Sequence, residues 1–480
     1  MLSSKNTEIN FGTSGLRAHA DCFNLDNISA YVDAFLDLLS DGEKNVYVGA
    51  DFRTSSPHIA VSVISAINAN GWQAVYGGNV PTPALALYAL KRNCPAIMIT
   101  GSHIPENYNG IKFYKREGEL LKSNEEPIRE KAALHLNKGI KDPLLPLPNV
   151  NDEIAKEYVA RFTLAFAKDA LKGLKIGVDL HSAVGRDLTV KIMQELGATC
   201  FPFNHSKEFI ALDREALNKE DITRAKAQLK KHQRDAIIST DGDGDRPLLL
   251  DENGDQINGD VIGAICAKSL DINIVVTPLS STSAIEKTGW FEKTVRTKIG
   301  SPHAVFAMEQ EQGSGKNIAG FEAKGGFLLA SDLTQANGTI SKLPTRDAIL
   351  PLICVLAEAA KRKIAISDLL KDFPERFMQA EKIKNISNEN AQVFLSSIMT
   401  SSSTRADVHI HIKQPEKIDN LDGVRMSLSD GSIVHFRQSG NAPEMRIYVE
   451  TTKKSSTNNM LSEITKGLKE YLNQKSLLNE

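Results

Sequence analysis

Three carboxylates stand at alternate positions in the run Asp241-Gly242-Asp243-Gly244-Asp245-Arg246, directly after the apolar stretch Ala236–Thr240. Two carboxylates about 5 Å apart, at an effective dielectric constant of about 20, repel by roughly 3 kcal/mol. A loop with three such groups therefore needs a cation, unless it is an acidic surface turn. Because the side chains offer only oxygen, the pattern favours Mg²⁺ or a similar hard ion.

A calcium-binding EF-hand loop is the main alternative interpretation of this motif. Its acidic positions 1, 3, 5 and 12 correspond to Asp241, Asp243, Asp245 and Glu252. Position 6 of that loop must be Gly for its sharp turn, but here it is Arg246. Because the flanking sequence is also strand-like, the EF-hand is excluded.

A serine follows a second apolar run, in Thr100-Gly101-Ser102-His103, and Asn109-Gly110-Ile111-Lys112 comes shortly after. A serine in a Gly-containing loop at the end of a strand is a candidate nucleophile or phosphate carrier. It is equally a candidate helix cap. The segment lacks the GxSxG pattern of hydrolases.

The segment Arg437-Gln438-Ser439-Gly440-Asn441 combines a guanidinium, a hydroxyl, a glycine and an amide in five residues. Backbone N–H groups and a forked cation that converge on one anion make a phosphate site. An ordinary turn has a similar composition, so the segment alone leaves both interpretations open.

These motifs follow a repeated pattern in which a short apolar run ends in a loop of small polar residues. Further examples are Asn45–Ala50, Leu174–Leu180 and Ile272–Thr277. Apolar strands separated by helices predict an α/β fold with buried, largely parallel sheets. In such sheets ligands bind at the carboxyl ends of the strands, where these motifs lie.

Composition and charge exclude several classes of protein. The 480 residues include 57 Lys and Arg against 59 Asp and Glu, which gives a net charge of −2 and argues against a nucleic-acid or polybasic membrane binder. The five cysteines are scattered and never in CxxC spacing, which argues against a disulfide framework or a zinc site. The uncharged stretch Thr54–Leu90 contains too many Gly, Pro and Asn residues for a membrane span. We expect a cytoplasmic protein without a secretory signal.

Changes in composition and in the pattern of apolar runs along the chain predict four domains, at residues 1–145, 146–254, 255–374 and 375–480. Lys141–Pro148, with three prolines, is typical of a linker. The last domain is predicted to be an α+β unit. In it we expect Ser401–Arg405 to be a polar loop and a closing helix to run from about Asn458 to Leu472.

Taken together, these motifs and Phe11-Gly12-Thr13-Ser14-Gly15-Leu16-Arg17 resemble, in the same order, the α-D-phosphohexomutase family of phosphomannomutases and phosphoglucomutases. The likeness runs from about residue 11 to 450. It implies three related α/β domains with mixed, largely parallel sheets and a C-terminal α+β domain that carries a phosphate loop. It also implies that Ser102 carries a phosphoryl group in the resting enzyme.

The resemblance assigns roles to residues of this sequence. It implies a Mg²⁺ site formed by Ser102, Asp241, Asp243 and Asp245. It implies catalytic roles for Arg17, Ser102, His103 and Lys112. It implies substrate binding by Thr13, Ser14, Arg246, Lys298, Gly300, Glu322, Lys324, Arg437, Ser439, Gly440 and Asn441. For Lys298 the alternative is a surface lysine beside a turn.

One segment departs from the family pattern. Members carry Gly-Glu-x-Ser-Gly-His in the sugar-binding loop, whereas this chain has Phe321-Glu322-Ala323-Lys324-Gly325-Gly326. Glu322 is retained and can accept hydrogen bonds from sugar hydroxyls, but a candidate acid/base is lost at Gly326. Lys324 could pair with phosphate, act as a base, or point to solvent. Gln438 and Asn441-Ala442 depart from the family pattern as well.

The resemblance implies interconversion of mannose 6-phosphate and mannose 1-phosphate through a hexose 1,6-bisphosphate, which also serves as activator. Phosphoglucomutase or dual specificity is the nearest alternative, because the two sugars differ in one hydroxyl. A non-catalytic sugar-phosphate-binding protein is the alternative from another class. Small-molecule hexose phosphates are the expected partners, with no nucleic acid and no membrane, and the chain is expected to be a monomer or weak homodimer.

Overall fold

The apolar runs of the sequence form the buried strands of the protein. The computed structural model describes residues 9–12, 14–39, 42–136, 146–211, 217, 219–439 and 443–478. Thr13, Gly440, Asn441 and most of the expected linker Lys141–Pro148 lie outside them. The chain divides into two units. The first comprises Met1–Val276, Phe291–Lys293 and Gly300–Leu370, and the second comprises Thr277–Trp290, Thr294–Ile299 and Lys371–Glu480.

The first sheet of the first unit has seven strands. They are β1 (Asn10–Phe11), β2 (Leu16–His19), β3 (Asn45–Ala50), β4 (Gln73–Asn79), β5 (Ala96–Ile99), β6 (Tyr108–Lys115) and β7 (Gly118–Glu119). Its order is β1-β2-β6-β5-β3-β4, with β7 on β6. β3 pairs parallel with β4 and β5, whereas β6 runs antiparallel to β5 and β2. The helices of this segment are α1 (Leu25–Leu36), α2 (Ser56–Ala69), α3 (Thr82–Lys91) and α4 (Lys122–His135).

The second sheet has four strands. They are β8 (Lys175–His181), β9 (Thr199–His205), β10 (Ala236–Thr240) and β11 (Pro247–Leu250), in the order β11-β10-β8-β9. The associated helices are α5 (Glu153–Thr163), α6 (Arg186–Glu195) and α7 (Lys219–His232). β8, β9 and β10 are parallel, and β11 returns antiparallel with Thr240 opposite Pro247. This register makes residues 241–246 the loop of a hairpin.

The third sheet is also mixed. Its strands are β12 (Ile274–Pro278), β13 (Lys293–Thr297), β14 (Ile318–Phe321), β15 (Phe327–Leu329) and β18 (Leu343–Asp347), in the order β13-β12-β14-β15-β18. A separate ribbon pairs β16 (Leu333–Gln335) with β17 (Gly338–Ile340). The helices here are α8 (Gly259–Ser269), α9 (Ala284–Lys287), α10 (Ser301–Glu311), α11 (Ile349–Arg362) and α12 (Ile366–Leu369).

The second unit is built on an antiparallel sheet. Its strands are β19 (Phe377–Lys384), β20 (Lys417–Asp419), β21 (Val424–Ser427), β22 (Ile433–Gln438) and β23 (Glu444–Thr451), in the order β19-β23-β22-β21-β20. Its helices include α13 (Asn388–Thr400), α14 (Ser402–Val408) and α15 (Lys454–Gln474). Three α/β sheets followed by an α+β unit confirm the predicted fold class.

Two expectations about the second unit are wrong. The segment Ser401–Arg405 is not a loop: α14 begins at Ser402, and the Ser401 side chain caps it by accepting a hydrogen bond from the Thr404 amide. A serine-rich stretch therefore marked a helix start, as its capping chemistry allows. The closing helix is also longer than expected at both ends, since it runs over Lys454–Gln474.

Two further observations concern the described part of the chain as a whole. There, every helix is too short or too polar to cross a bilayer. In the same residues no disulfide joins any of the five cysteines.

Candidate active site

The acidic loop is folded so that its three carboxylates converge. Asp241 follows β10, and the hairpin closes through its amide, which donates to the Arg246 carbonyl at 3.1 Å. Gly244 takes a positive φ of 74°, which glycine adopts without steric cost. The side chains of Asp241, Asp243 and Asp245 are buried, and one oxygen from each lies within 4.8 Å of the others.

A buried lysine compensates part of this charge. Lys112 Nζ lies 2.5 Å from Asp243 Oδ2 and 2.7 Å from Asp245 Oδ2. The Thr82 hydroxyl donates to the same Asp243 oxygen at 2.7 Å. Arg346 Nη2 lies 2.8 Å from Asp245 Oδ2. One oxygen of Asp243 and one of Asp245 are thus held by cations and a hydroxyl.

The other oxygens of the same two residues have a different environment. Asp243 Oδ1 and Asp245 Oδ1 are buried and accept no hydrogen bond from any described residue. Buried carboxylate oxygens without a partner are costly, and native proteins generally satisfy such atoms. Two unsatisfied oxygens beside Asp241 form a hard, oxygen-only donor set. The residues present therefore fit a hard divalent cation.

The pKa values reflect this packing of charge. Burial raises the pKa of Asp241, and repulsion from Asp245 and Asp243 raises it further. Burial alone would raise the pKa of Asp245, but Arg346, Lys112 and Arg246 together lower it below its ordinary value. Burial alone would lower the pKa of Lys112, whereas Asp243 and Asp245 raise it. Lys112 is therefore a fixed positive charge rather than a proton donor at neutral pH.

Ser102 lies at the turn after β5 and faces the acidic loop. Its backbone φ is 53°, an uncommon conformation for a residue with a Cβ atom and one that is frequent at functional sites. The turn is held by the Ser102 amide, which donates to Thr100 Oγ1 at 2.8 Å. In this position the Ser102 hydroxyl donates to Asp241 Oδ2 at 2.8 Å. The serine is therefore not a helix cap; its oxygen points at the carboxylate cluster.

His103 is held as a neutral imidazole. Its Nδ1 lies 2.8 Å from Arg246 Nη1 and 3.4 Å from Ser102 Oγ. Burial, together with repulsion from Arg246, Lys324 and Arg17, lowers the pKa of His103 to about 2. Because a guanidinium can only donate, Nδ1 accepts and the proton resides on Nε2. His103 is thus not an available cation, and its Nδ1 is already occupied.

Arg53, which the sequence analysis did not single out, lies beneath the serine turn. Its side chain is fully buried. Its guanidinium donates to four carbonyl oxygens of one loop, those of Ser102 at 3.1 Å, Ile104 at 2.7 Å, Pro105 at 2.7 Å and Tyr108 at 3.0 Å. A Cβ atom at Gly101 would lie 2.6 Å from the guanidinium carbon. Glycine at 101 is therefore required for this arginine to reach the loop.

The segments expected to contact a sugar bring further charge to the cluster. Burial, with repulsion from Arg246 and Arg346, lowers the pKa of Arg17 to about 10. Glu322 is buried, and its Oε2 lies 3.3 Å from Arg346 Nη1. The Ser14 hydroxyl lies 3.3 Å from Arg346 Nη2. Arg17, Ser14, Glu322 and the acidic loop thus share one network.

The turn at residues 322–326 is tight, because the Gly325 amide donates to the Glu322 carbonyl at 2.8 Å. Gly325 has a φ of 86°, and a Cβ atom there would lie 2.7 Å from Pro247 Cγ. Contacts within the protein therefore account for this glycine. Lys324 is partly buried, and its charge lowers the pKa of His103, so it lies near the serine turn.

The remaining predicted residues are divided between the two units. Gly300 belongs to the first unit, with a φ of 124°, and precedes α10. Within the second unit, Asp422 links two of the predicted segments: Arg437 Nε and the Ile299 amide donate to its Oδ2 at 2.9 and 3.0 Å. The Lys298 side chain is exposed beside that amide. The Ser439 amide donates to the Glu444 carbonyl at 2.9 Å.

The support of the serine turn by Arg53 leads to a first prediction. Arg53→Lys should lower the free energy of unfolding by about 2–4 kcal/mol, because an ammonium cannot reach four carbonyls and leaves buried acceptors unpaired. Hydrogen–deuterium exchange should show amides of residues 101–108 exchanging about tenfold faster or more. The matched control is Arg116→Lys, because Arg116 is also buried and donates to the carbonyls of Asn93 and Glu43. Equal protection of the serine turn in both variants would contradict the role given to Arg53.

Comparison with known proteins adds independent findings. Family models match three segments of the chain: phosphoglucomutase/phosphomannomutase alpha/beta/alpha domain I over residues 8–135, domain II over 156–254 and domain III over 258–377. A curated phosphomannomutase from Salmonella muenchen is 36% identical over 468 residues, which cover 97% of this chain and 96% of that protein. One from Sinorhizobium fredii is also 36% identical, over 94% of this chain and 97% of that protein.

Solved structures agree in fold. The crystal structure of a phosphoglucomutase/phosphomannomutase family protein from Burkholderia thailandensis superposes with a TM-score of 0.75 at 18% identity and covers 100% of this chain and 99% of that one. The family models together match well over half of the sequence. The chain therefore belongs to the phosphoglucomutase/phosphomannomutase family.

Proposed function

We propose that the protein is a phosphomannomutase that interconverts mannose 6-phosphate and mannose 1-phosphate. The single observation that carries the proposal is the Ser102 hydroxyl, held in a left-handed turn 2.8 Å from a carboxylate of the buried acidic triad. The curated phosphomannomutases that are 36% identical over nearly the whole chain support mannose as the sugar. They support an isomerase that acts by phosphoryl transfer.

In this proposal Ser102 carries a phosphoryl group between sugars. A hydroxyl oxygen of the hexose phosphate attacks phosphorus and forms a new P–O bond. The bond from phosphorus to Ser102 Oγ breaks, its electron pair remains on Oγ, the proton lost by the sugar hydroxyl ends on Oγ, and the sugar becomes a 1,6-bisphosphate. After the sugar turns around, Oγ attacks the other phosphate, the bond from that phosphorus to the sugar oxygen breaks, and the leaving oxygen takes up the proton that the Ser102 hydroxyl loses. Atoms and charge balance over the cycle, so a bisphosphate also restores an enzyme that has lost its phosphoryl group.

Charge around Ser102 favours this transfer, because positioning and electrostatics do most of the catalytic work for phosphoryl groups. The acidic triad and Ser102 would hold Mg²⁺, which withdraws negative charge from the transferring group when bound. Lys112 keeps Asp243 and Asp245 from turning away from that position. Arg17 and Arg246 add positive charge, and Arg246 also fixes His103.

Recognition of the sugar phosphate is assigned to the remaining residues. Glu322 accepts hydrogen bonds from sugar hydroxyls, and Thr13 and Ser14, which precede Arg17 in the sequence, also bind the substrate. Arg437, Ser439, Gly440 and Asn441 hold the phosphate that is not reacting. Lys298 and Gly300 are assigned to substrate contact. Lys324 pairs with phosphate, or acts as the base in place of the expected histidine. Its partial burial beside other cations suits either role better than a solvent-exposed tip.

Two coarser properties complete the proposal. The cysteine pattern and the near-neutral net charge suit a cytoplasmic enzyme that handles small-molecule hexose phosphates, as a monomer or weak homodimer. A non-catalytic sugar-phosphate-binding protein would not need a strained serine aimed at a buried carboxylate triad. Catalysis therefore accounts for more of the site than binding alone.

The sugar and the carrier residue are tested in one experiment. With catalytic glucose 1,6-bisphosphate and Mg²⁺ present, kcat/KM should be about tenfold or more higher for mannose 1-phosphate than for glucose 1-phosphate. Intact-mass measurement should show a fraction carrying one phosphoryl group, and Ser102→Ala should abolish both that fraction and turnover. A preference for glucose would assign the phosphoglucomutase alternative. Full activity in the alanine variant would refute the phosphoserine mechanism.

The metal is tested separately at the acidic loop. Asp243→Asn should weaken Mg²⁺ binding measured by calorimetry, because it removes the negative charge of a carboxylate whose Oδ1 accepts no hydrogen bond. It should also lower kcat by about 10²–10³-fold, since a few kcal/mol of transition-state stabilisation are lost. Asp251→Asn is the control, because Asp251 is a buried aspartate whose carboxylate only caps its own turn. Undiminished turnover of the native enzyme in excess chelator would show that the assignment is wrong.

A further inference from the structure

Arg346 is a buried cation that joins three parts of the candidate site. It lies on β18 and is 3% exposed. Its Nη2 approaches Asp245 Oδ2 at 2.8 Å and Ser14 Oγ at 3.3 Å, while its Nη1 approaches Glu322 Oε2 at 3.3 Å. Neither its type nor its spacing singled it out in the sequence, because it stands within an otherwise ordinary strand.

The space that Arg346 occupies is available only because residue 326 is glycine. β15 and β18 run antiparallel with Phe327 opposite Asp347, which brings Gly326 beside the arginine stem. A Cβ atom at 326 would lie 2.7 Å from both Cγ and Cδ of Arg346 and 3.0 Å from its Cβ. Any side chain at 326 and the present position of Arg346 therefore exclude each other. Gly326 has no positive φ, so backbone conformation does not explain the glycine.

The chemistry of the contact requires an arginine. Two buried carboxylates, on Asp245 and Glu322, approach different nitrogens of one guanidinium, and the Glu119 carboxylate also contributes to its charged surroundings. A planar fork spans two acceptors in fixed directions, whereas the ammonium of a lysine is a compact point charge. Without the fork, Glu322 would be left buried beside other carboxylates and free to turn.

We infer that Arg346 is a positioning residue that fixes the Glu322 carboxylate toward the sugar and couples it to Asp245, and that Gly326 is present to give it room. The inference rests on the proposed function for the identity of the sugar phosphate. The inference explains why this chain has Gly326 where family members have histidine. The side chain of Arg346, which comes from another strand, occupies the space beside residue 326. Arg346 itself does not exchange protons in this role.

The first test separates orientation of substrate from general stability. Arg346→Ala and Arg346→Lys should each lower kcat/KM for mannose 1-phosphate by about 10²-fold, mostly through KM, because Glu322 loses its fixed direction. Calorimetry of mannose 1-phosphate binding should show the same loss. Arg116→Ala, which removes a buried arginine elsewhere, should lower the melting temperature but leave KM unchanged. An unchanged KM in both Arg346 variants would overturn the inference.

The second test is a double-mutant cycle of Gly326→Ala and Arg346→Ala. Gly326→Ala, with Arg346 present, should raise KM about as much as Arg346→Ala does, because the new methyl displaces the arginine stem. In the Arg346→Ala background the same methyl should cost less than about threefold, since the clash is gone. Additive effects would mean that Gly326 serves another purpose and would contradict the inference. If Arg346→Ala does not fold, an unchanged KM in Gly326→Ala alone contradicts it.

Failure of the proposed function can be distinguished from failure of the inference about Arg346. If the native chain interconverts no hexose phosphate, the proposed function fails. The role of Arg346 is then tested by calorimetry of mannose 1-phosphate binding. Weaker binding in Gly326→Ala and Arg346→Lys than in the native chain supports the inference in that case. Equal dissociation constants, or no binding by the native chain, overturn it. Turnover by the native chain with an unchanged KM in every variant overturns only the inference.

Discussion

The repulsion among the buried carboxylates of Asp241, Asp243 and Asp245 is the constraint on which the site depends. Their oxygens lie within 4.8 Å of one another away from water, where repulsion is screened far less than at the surface. Such a cluster is stable only with cations at hydrogen-bond distance. Lys112 and Arg346 supply that charge from two other strands. The acidic loop thereby determines which residues the rest of the unit must bring to it.

The unsatisfied oxygens show that the compensation is incomplete. The two cations cover one side of Asp243 and Asp245, while the opposite oxygens accept no hydrogen bond from any described residue, and Arg246 Nε approaches that of Asp245 only to 3.7 Å. An acidic surface turn would instead expose its carboxylates to water. Ser102 reaches the same cluster from another loop, because its hydroxyl donates to Asp241 Oδ2. The compensating cations and Ser102 therefore meet at the same acidic loop.

Much of this arrangement follows from local sequence. The acidic motif and the serine motif each follow an apolar strand. They are therefore predicted to lie at the carboxyl ends of strands, where ligands bind in α/β sheets. The tight loop before the antiparallel return of β11 is a local consequence of Gly244, which takes a positive φ. Family membership and the α/β fold class, both predicted from the motifs, are confirmed.

The contacts that could not be predicted join residues far apart in sequence. Arg346 meets Glu322 because β18 pairs with β15, the strand that follows the Glu322 turn, and no local pattern encodes that register. Asp245, its other partner, lies in a loop of a different sheet. The Arg53 guanidinium binds the serine turn, which lies about fifty residues further along the chain. Asp422 accepts hydrogen bonds from Arg437 and from the Ile299 amide, which are far apart in the sequence. The helix start at Ser402 was missed because a capping serine and a loop serine look alike in sequence.

In the proposed function, the phosphoryl group passes through Ser102. The most direct measurement is a rapid-quench experiment, in which the enzyme is radiolabelled at the Ser102 phosphate and mixed with unlabelled mannose 1-phosphate. If the Ser102 phosphoryl group is transferred to the sugar, the label should leave the protein during the first turnover. It should appear in hexose bisphosphate and mannose 6-phosphate at a rate no slower than kcat. Formation of mannose 6-phosphate while the label stays on the protein would contradict this transfer.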